Sequence, residues 1–517
     1  MKELLKVIVT ACGCLGLWTI YTVHSADPTR KDVAALQPVP PNLEGMATSN
    51  RRFMNTLFFF DDWHFRAREG LDRKLGRPQM LREVLLDFQS DPDLKSIRGL
   101  VPKYDPIKGC YTLDIDCHDQ QDRRFFIRLE SPDPYTWPAV RWRPGDGPLW
   151  TRVDNVYLDQ HDNRLCCFNI LPLIDTPLAD KGYFINLVDH GNATGFSQDG
   201  FLYELDANAP WVRGYGSDTG NPTLYNPWTG RFMIFCRPDC LDRRVARIDS
   251  PDLKTFSQPT VIFQPDPQDP VGREFYGLAA FLYGDVFLGM LAVYDTEPTE
   301  NRRFKMQGTS QPHLAYSYNG QNWYRASRDP FMPRSAPGTH AGGSVYAGLV
   351  RRTPDNRLLF GGMVTWTEHG MDIGHSPEEW RTKPYRVYMY DMRLDGFVYL
   401  RTRARQGMVR TKTVVPQGGE MTINVRTSPS GHVRVAVLNE AAEPIPGYSL
   451  ADSIPLTGDH LFGKVSWRNG KNLDDLKGKP VLIEITIREG ELYALRFTHQ
   501  VAPGEHIRDR QSMMYPR

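Results

Sequence analysis

Ser131-Pro132-Asp133-Pro134-Tyr135-Thr136-Trp137 sets an Asp two residues, and an aromatic six residues, after a serine. The spacing returns at Ser197-Asp199-Tyr203, Ser250-Asp252-Phe256 and Ser317-Asn319-Trp323. It returns once more, with arginine in place of serine, at Arg393-Asp395-Tyr399. The starts lie 66, 53, 67 and 76 residues apart. A local pattern recurring at such intervals is the mark of a repeat architecture. Each copy reads as a turn, because Asp, Asn and Ser side chains hydrogen-bond nearby backbone. The aromatic then opens a strand and packs into its unit. Four strands use most of roughly 60 residues, the size of a propeller blade with generous loops. Five copies therefore predict an all-β chain built on a five-bladed β-propeller.

A second repeated element agrees with the first. Tyr104-Asp105-Pro106 with Gly109 and Tyr111 has the same spacing as Tyr225-Asn226-Pro227 with Gly230 and Phe232. Pro at the second corner of a turn and Gly at its exit suit a hairpin. Gly 43 and Pro 40 are plentiful, as expected for many short strands joined by turns. The best helical spacing is Met80, Leu81, Val84, Leu85 and Phe88, which predicts a helix over 78–88.

Residues 1–26 read as an export signal. Lys2 and Lys6 precede an apolar run from Val7 to Tyr21, and Ser25 and Ala26 offer small residues for cleavage. The run is short for a spanning helix, so a periplasmic or secreted protein with no membrane span after signal removal is expected. Residues 27–50 read as an extended leader and 51–411 as the propeller. Its blades fall near 52–145, 146–210, 211–268, 269–335 and 336–411. Alternating Val433-Val435-Val437 and Ile483-Ile485-Ile487 predict a β-sandwich over 412–500, with 501–517 as a tail. Lys+Arg and Asp+Glu nearly cancel, at 62 against 61, which speaks against nucleic acid as the partner. Six cysteines follow the signal. Cys236 with Cys240, and Cys110 with Cys117, are candidate disulfides, and buried free thiols are the alternative.

On this division the start of each unit is its innermost strand, facing the central channel. The residues there are Asp61 and Asp62, Asp154 and Asn155, Asp218 and Asn221, Glu274 and Tyr276, and His340. Acids recurring around one axis repel one another, so a function or a bound cation is expected to offset the cost.

A five-unit propeller of this kind followed by a sandwich resembles the glycoside hydrolases of families 32, 43 and 68. The residues that carry the resemblance are Phe59-Phe60-Asp61-Asp62, the Ser-x-Asp turns and Glu274-Phe275-Tyr276-Gly277. The tail from Pro444 through Asp459 and Trp467 to Phe497 is similar to the sandwich of uncharacterised bacterial proteins of that clan. The resemblance implies hydrolysis of a furanoside or pyranoside by paired carboxylates in the channel. Asp62 would be the nucleophile or base, Asp218 the stabiliser and Glu274 the general acid, with Asp61 and Asp154 as alternates. Phe275, Tyr276 and Leu278 give Glu274 the apolar surroundings in which a carboxyl keeps its proton. Trp63, His64, Asn155, Asn221, Tyr276, His340, Trp366 and His369 would line the sugar site. An oligo- or polysaccharide is the expected substrate. No cofactor is required, although Ca²⁺ suits a central cluster of oxygen ligands. A non-catalytic carbohydrate-binding propeller is one alternative. A glycoside phosphorylase, with Arg237, Arg243, Arg244 and Arg273 near the acid, is another.

Native protein is expected to begin at Ala26 or Asp27, outside the cytoplasm. N-terminal sequencing that reads from Met1 would contradict the export signal.

Overall fold

In the first blade the long strand Cys110–Asp119 collects its partners by hydrophobic alternation. Leu113, Ile115 and Cys117 are fully buried, and the strand pairs with Leu94–Gly99 and Lys103–Asp105 on one side and Arg124–Ser131 on the other. An isolated bridge from Ile127 to Val156 continues the blade outward. This computed structural model describes residues 53–84, 93–166, 168–187, 193–206, 221–238, 242–297, 307–369 and 385–501. The expected signal and leader, and residues 502–517 of the expected tail, lie outside the described residues.

Three further blades follow in chain order. They run from Phe168–Pro172 to Leu202–Asp206, from Thr223–Asn226 to Thr260–Phe263, and from Arg273–Tyr283 to Tyr324–Arg325. The fifth holds Val345–Arg352, Arg357–Val364 and Arg386–Arg393. First strands touch from the second blade round to the fifth and from the fifth to the first, and Tyr183 Oη of the second blade donates to Asp105 of the first at 3.0 Å, so the blades surround an axis. The result is the five-bladed propeller that the turns predict, followed by a C-terminal β-sandwich.

The repeated turn sits at one equivalent place in every blade. Ser131, Ser197, Ser250, Ser317 and Arg393 each end the third strand. In the first four copies the Asp or Asn oxygen accepts two backbone N–H groups, as Asp199 does from Phe201 at 2.8 Å and Leu202 at 3.0 Å. The aromatics Trp137, Tyr203, Phe256 and Trp323 are buried. The hairpin element is also as expected. Gly109 and Gly230, at φ +67° and +66°, close the turns between first and second strands of the first and third blades. That left-handed backbone favours glycine.

The N-terminal segment departs from the expected division. Residues 54–75 belong to no blade. Met54–Leu57 pairs with Leu482–Val501, Phe65–Glu69 with Gln406–Thr411, and Leu71–Leu75 with Val398–Thr402, all in the nine-stranded sheet of the sandwich. The expected helix over 78–88 is also corrected. Gln79–Glu83 is a strand, paired antiparallel to Arg386–Arg393 as the outer strand of the fifth blade. That edge would otherwise expose a row of unpaired backbone groups, and pairing there outweighs helical spacing. Met80 and Leu81 are exposed, as an edge permits. Residues 85–88 lie outside the described residues.

Strand alternation at Phe58-Phe59-Phe60 joins the two domains. Phe59 faces the sandwich core with Trp467 and Tyr448, whereas Phe58 and Phe60 join a core built from the fourth and fifth blades. Each buried ring contributes about 1.5–3 kcal/mol. The fifth copy of the turn makes a second joint. Asp395, 1% exposed, accepts hydrogen bonds at 2.8 Å from Tyr283 Oη and from Asn424 Nδ2, and pairs with Arg496. Asp395→Ala strands these donors at the domain junction. We expect a loss of about 3 kcal/mol of stability, read as a lowered urea midpoint. A change too small to move the midpoint would show that Asp395 does not hold the junction.

Candidate functional site

Glu274 is the second residue of the first strand of the fourth blade, Arg273–Tyr283. Its Oε2 accepts from Arg243 Nη1 at 2.5 Å, across the seam with the third blade. The Phe275 N–H donates to the Arg243 carbonyl at 2.9 Å, so one residue stitches the seam through backbone and side chain. Burial disfavours the charge on Arg243, but the hydrogen bond and charge of Glu274 outweigh it and hold the guanidinium firmly protonated. Glu274 Oε1 makes no hydrogen bond among the described residues. In place of the apolar surroundings that the sequence suggests, Glu274 has an ion pair.

Tyr276 owes its position to a bulge. Phe275 pairs with Val293 and Gly277 with Ala292, which leaves Tyr276 as the extra residue of its strand. A bulge of this kind re-aims a side chain and is common beside active sites. Tyr276 Oη lies 3.2 Å from His369 Nε2. Its ring centre is 5.5 Å from that of Tyr294 and 5.1 Å from that of His369. Arg237 and Arg243 place their guanidinium carbons 5.1 and 5.4 Å from the Tyr276 ring centre. His369 is held at the seam of the fourth and fifth blades by backbone hydrogen bonds in both directions with Gly308. Beside it, Gln307 Nε2 donates to Glu368 Oε2 at 2.7 Å.

Asn221, fully buried, leads into the first strand of the third blade, and its carbonyl accepts from Asn186 Nδ2 at 2.9 Å. Pro222 and Tyr276 line one cavity of about 250 Å³ on the axis, with Val101 of the first blade and Val345 of the fifth. Asn221, Glu274, Tyr276 and His369 thus gather where the first strands of the third to fifth blades begin. Asp218, three residues before Asn221, lies outside the described residues. His340 and Trp366 form a neighbouring cluster in the fifth blade. The His340 ring is 5.2 Å from that of Tyr388 and 6.2 Å from that of Trp366. Tyr388 and Arg386 both donate to Glu83 Oε2, at 3.3 and 2.8 Å.

The remaining expected site residues are elsewhere. Asp61 accepts from Tyr316 Oη and Tyr318 Oη, both at 2.9 Å, at the far end of the fourth blade. Glu274 pairs with Tyr294, which pairs with Ser310. From Ser310 to Tyr316 is six residues of one strand, about 20 Å. Asp62 is bound by Arg68 and Arg73 in the same turn. Burial raises its pKa, but those two guanidiniums outweigh it and hold the carboxyl below its usual range. Trp63, under Lys412 at 5.0 Å, and His64, edge-on to Tyr318 at 5.0 Å, belong to that turn. The physical reason is the sandwich pairing of residues 54–75. Asp154 and Asn155 are exposed in the outer part of the first blade, beside Val156, with Asp154 paired to Arg143 at 3.1 Å.

Sequence reasoning noted Arg243 without its partner and missed Tyr294 and Glu368. Tyr294 was out of reach, because counting pairs back from the Gly284-Asp285 turn brings Asp295 opposite Glu274, and only the bulge at Tyr276 shifts the register by one. Among the described residues no three His, Cys, Asp or Glu side chains converge on a metal position. Cys110 and Cys117 lie on one strand and are free thiols, so they do not form the expected disulfide. Cys236 is also free, and Cys240 lies outside the described residues.

No protein-family model matches the chain, and no curated protein matches it. Among solved structures it is similar to an N-acetylgalactosamine deacetylase from F. plautii in complex with blood group B trisaccharide. The identity is 10%, over 63% of this chain and 97% of that one, with a TM-score of 0.41. It is similar to an α-L-arabinofuranosidase from Podospora anserina in complex with cellotriose, at 10% identity over 61% and 96%, TM-score 0.39. A β-fructofuranosidase from Bombyx mori is 10% identical over 82% of this chain and 95% of that one, TM-score 0.34.

Burial pushes the Cys236 thiol up to about 12. Only the thiolate reacts with alkylating agents. Iodoacetamide at pH 8 should therefore leave Cys236 unmodified in the folded protein and modify it after unfolding, as peptide mapping would show. Alkylation of native protein would refute this burial.

Proposed function

We propose that the chain is a glycoside hydrolase acting on an oligo- or polysaccharide at the axial end formed by its third, fourth and fifth blades. The observation that carries this reading is Glu274, with one carboxyl oxygen fixed by Arg243 and the other without a hydrogen bond among the described residues, beside Tyr276, Tyr294 and His369. Orientation by a guanidinium is what a carboxyl group needs to meet a glycosidic oxygen in one geometry. Aromatic faces beside it suit the C–H face of a sugar. We assign Glu274 and Asp218 as the two carboxyl groups, in place of Asp62, and the leaving-group dependence of Glu274→Gln decides which of them donates the proton. Hydrolysis needs one group to protonate the leaving oxygen and another to attack or to activate water.

Glu274→Gln keeps size and removes the proton. Turnover of a substrate with a poor leaving group should fall roughly 10²–10⁴-fold, while an activated aryl glycoside, whose leaving group scarcely needs protonation, should be much less affected. Equal loss on both would make Glu274 the base or nucleophile. Wild-type rates on both would overturn the assignment and favour a non-catalytic binding propeller.

A second reading has its own observation. Two guanidiniums, of Arg237 and Arg243, flank the Tyr276 ring beside the acid, as phosphorolysis would require. Release of a glycosyl phosphate on adding inorganic phosphate distinguishes it from hydrolysis.

A further inference from the structure

The axial cavity has a chemistry that saccharide hydrolysis does not use. Its walls are apolar. Phe235, Cys236, Leu278, Met290, Ala292 and Val345 form much of them. Four of the five blades contribute, so the space belongs to the ring as a whole. Tyr276 lines this cavity and also bears the hydroxyl that meets His369. One bulged residue therefore divides a polar site, holding Glu274, from an apolar space. Gly277, the next residue, has no atom within 4 Å of where a Cβ would stand, and its backbone is outside the left-handed region. Glycine is not required there for backbone reasons, and its effect is to leave the cavity open. The raised Cys236 thiol agrees with an apolar wall.

The volume is about 250 Å³. An apolar cavity of about 150 Å³ takes up benzene, so this one has room for a phenyl ring or a chain of about six carbons. The cavity is open to solvent on one side, so an apolar group that enters it gains by leaving water. We propose that the cavity receives an apolar substituent, alkyl, aryl or acyl, carried by the saccharide. The sugar then sits at Glu274 and Tyr276 with its apolar group past Tyr276. This rests on the reading of the axial end as the saccharide site, but the cavity's preference for apolar matter stands apart from catalysis.

The test uses binding, so that it does not depend on turnover. Benzene should bind the full-length protein, seen by calorimetry or by shifted NMR resonances. Gly277→Ala should weaken that binding, and Gly277→Leu, which fills the space, should abolish it while the melting temperature is kept or raised. Methyl and hexyl glycosides of glucose, galactose, xylose and arabinofuranose are then compared by calorimetry. The hexyl member of a bound pair should bind more tightly, by roughly fourfold for each methylene that enters. Gly277→Leu should bring it down to the methyl member. The proposal is overturned if benzene fails to bind, if Gly277→Leu binds it as well as wild type, or if no hexyl glycoside binds more tightly than its methyl partner. Failure of the Glu274→Gln experiment would remove the hydrolase reading and leave these binding comparisons untouched.

Discussion

A ring of blades has to close, and the closure here is made by a strand that the last blade does not own. The chain leaves the fifth blade after Arg393 and enters the sandwich as Val398–Thr402, with only three strands laid down. Gln79–Glu83 supplies the fourth from the opposite end of the sequence. The closing bonds are backbone hydrogen bonds at a solvent-facing edge, and each is worth about 1 kcal/mol net. Their effect is larger than that sum, because the axial site draws on three blades whose spacing depends on the ring being whole.

The same segment ties the sandwich in. Residues 54–75 lie in the sandwich sheet and residues 79–83 in the propeller, so the two domains share one stretch of chain. The Asn55 and Thr56 N–H groups donate to Asp285, in the hairpin turn of the fourth blade, at 2.7 and 2.9 Å. Asp61 reaches Tyr316 and Tyr318 on that blade's third strand. Paired acids at 61 and 62 that look like a channel feature are thus part of a structural joint. Their carboxylates are matched by hydroxyls and guanidiniums instead of by a ligand.

What could be read from the sequence follows from the range of each interaction. The Ser-x-Asp turn is closed within about six residues by its own side chains in four copies, and the fifth, at Arg393, keeps the spacing while its Asp395 bonds distant residues; all five fall at the end of a third strand. Glu274 could be found because it opens a long apolar strand. The partners of Met54–Leu57 lie more than 430 residues away, and no local pattern records that. The spacing of Met80, Leu81 and Val84 looked helical because an edge strand with one open face tolerates apolar residues on either side. Tyr276 was legible as a residue, but its bulge, which decides what it touches, was not.

Ring closure also has a consequence in time. Gln79–Glu83 is made early, and the strand it pairs with begins at Arg386. At synthesis rates of about 5–20 residues per second, an interval of roughly 300 residues lasts on the order of 15–60 s. For that period Gln79–Glu83 has no strand to pair with while the blades after it can each pair within themselves, and the ring cannot close in any form that ends before the fifth blade.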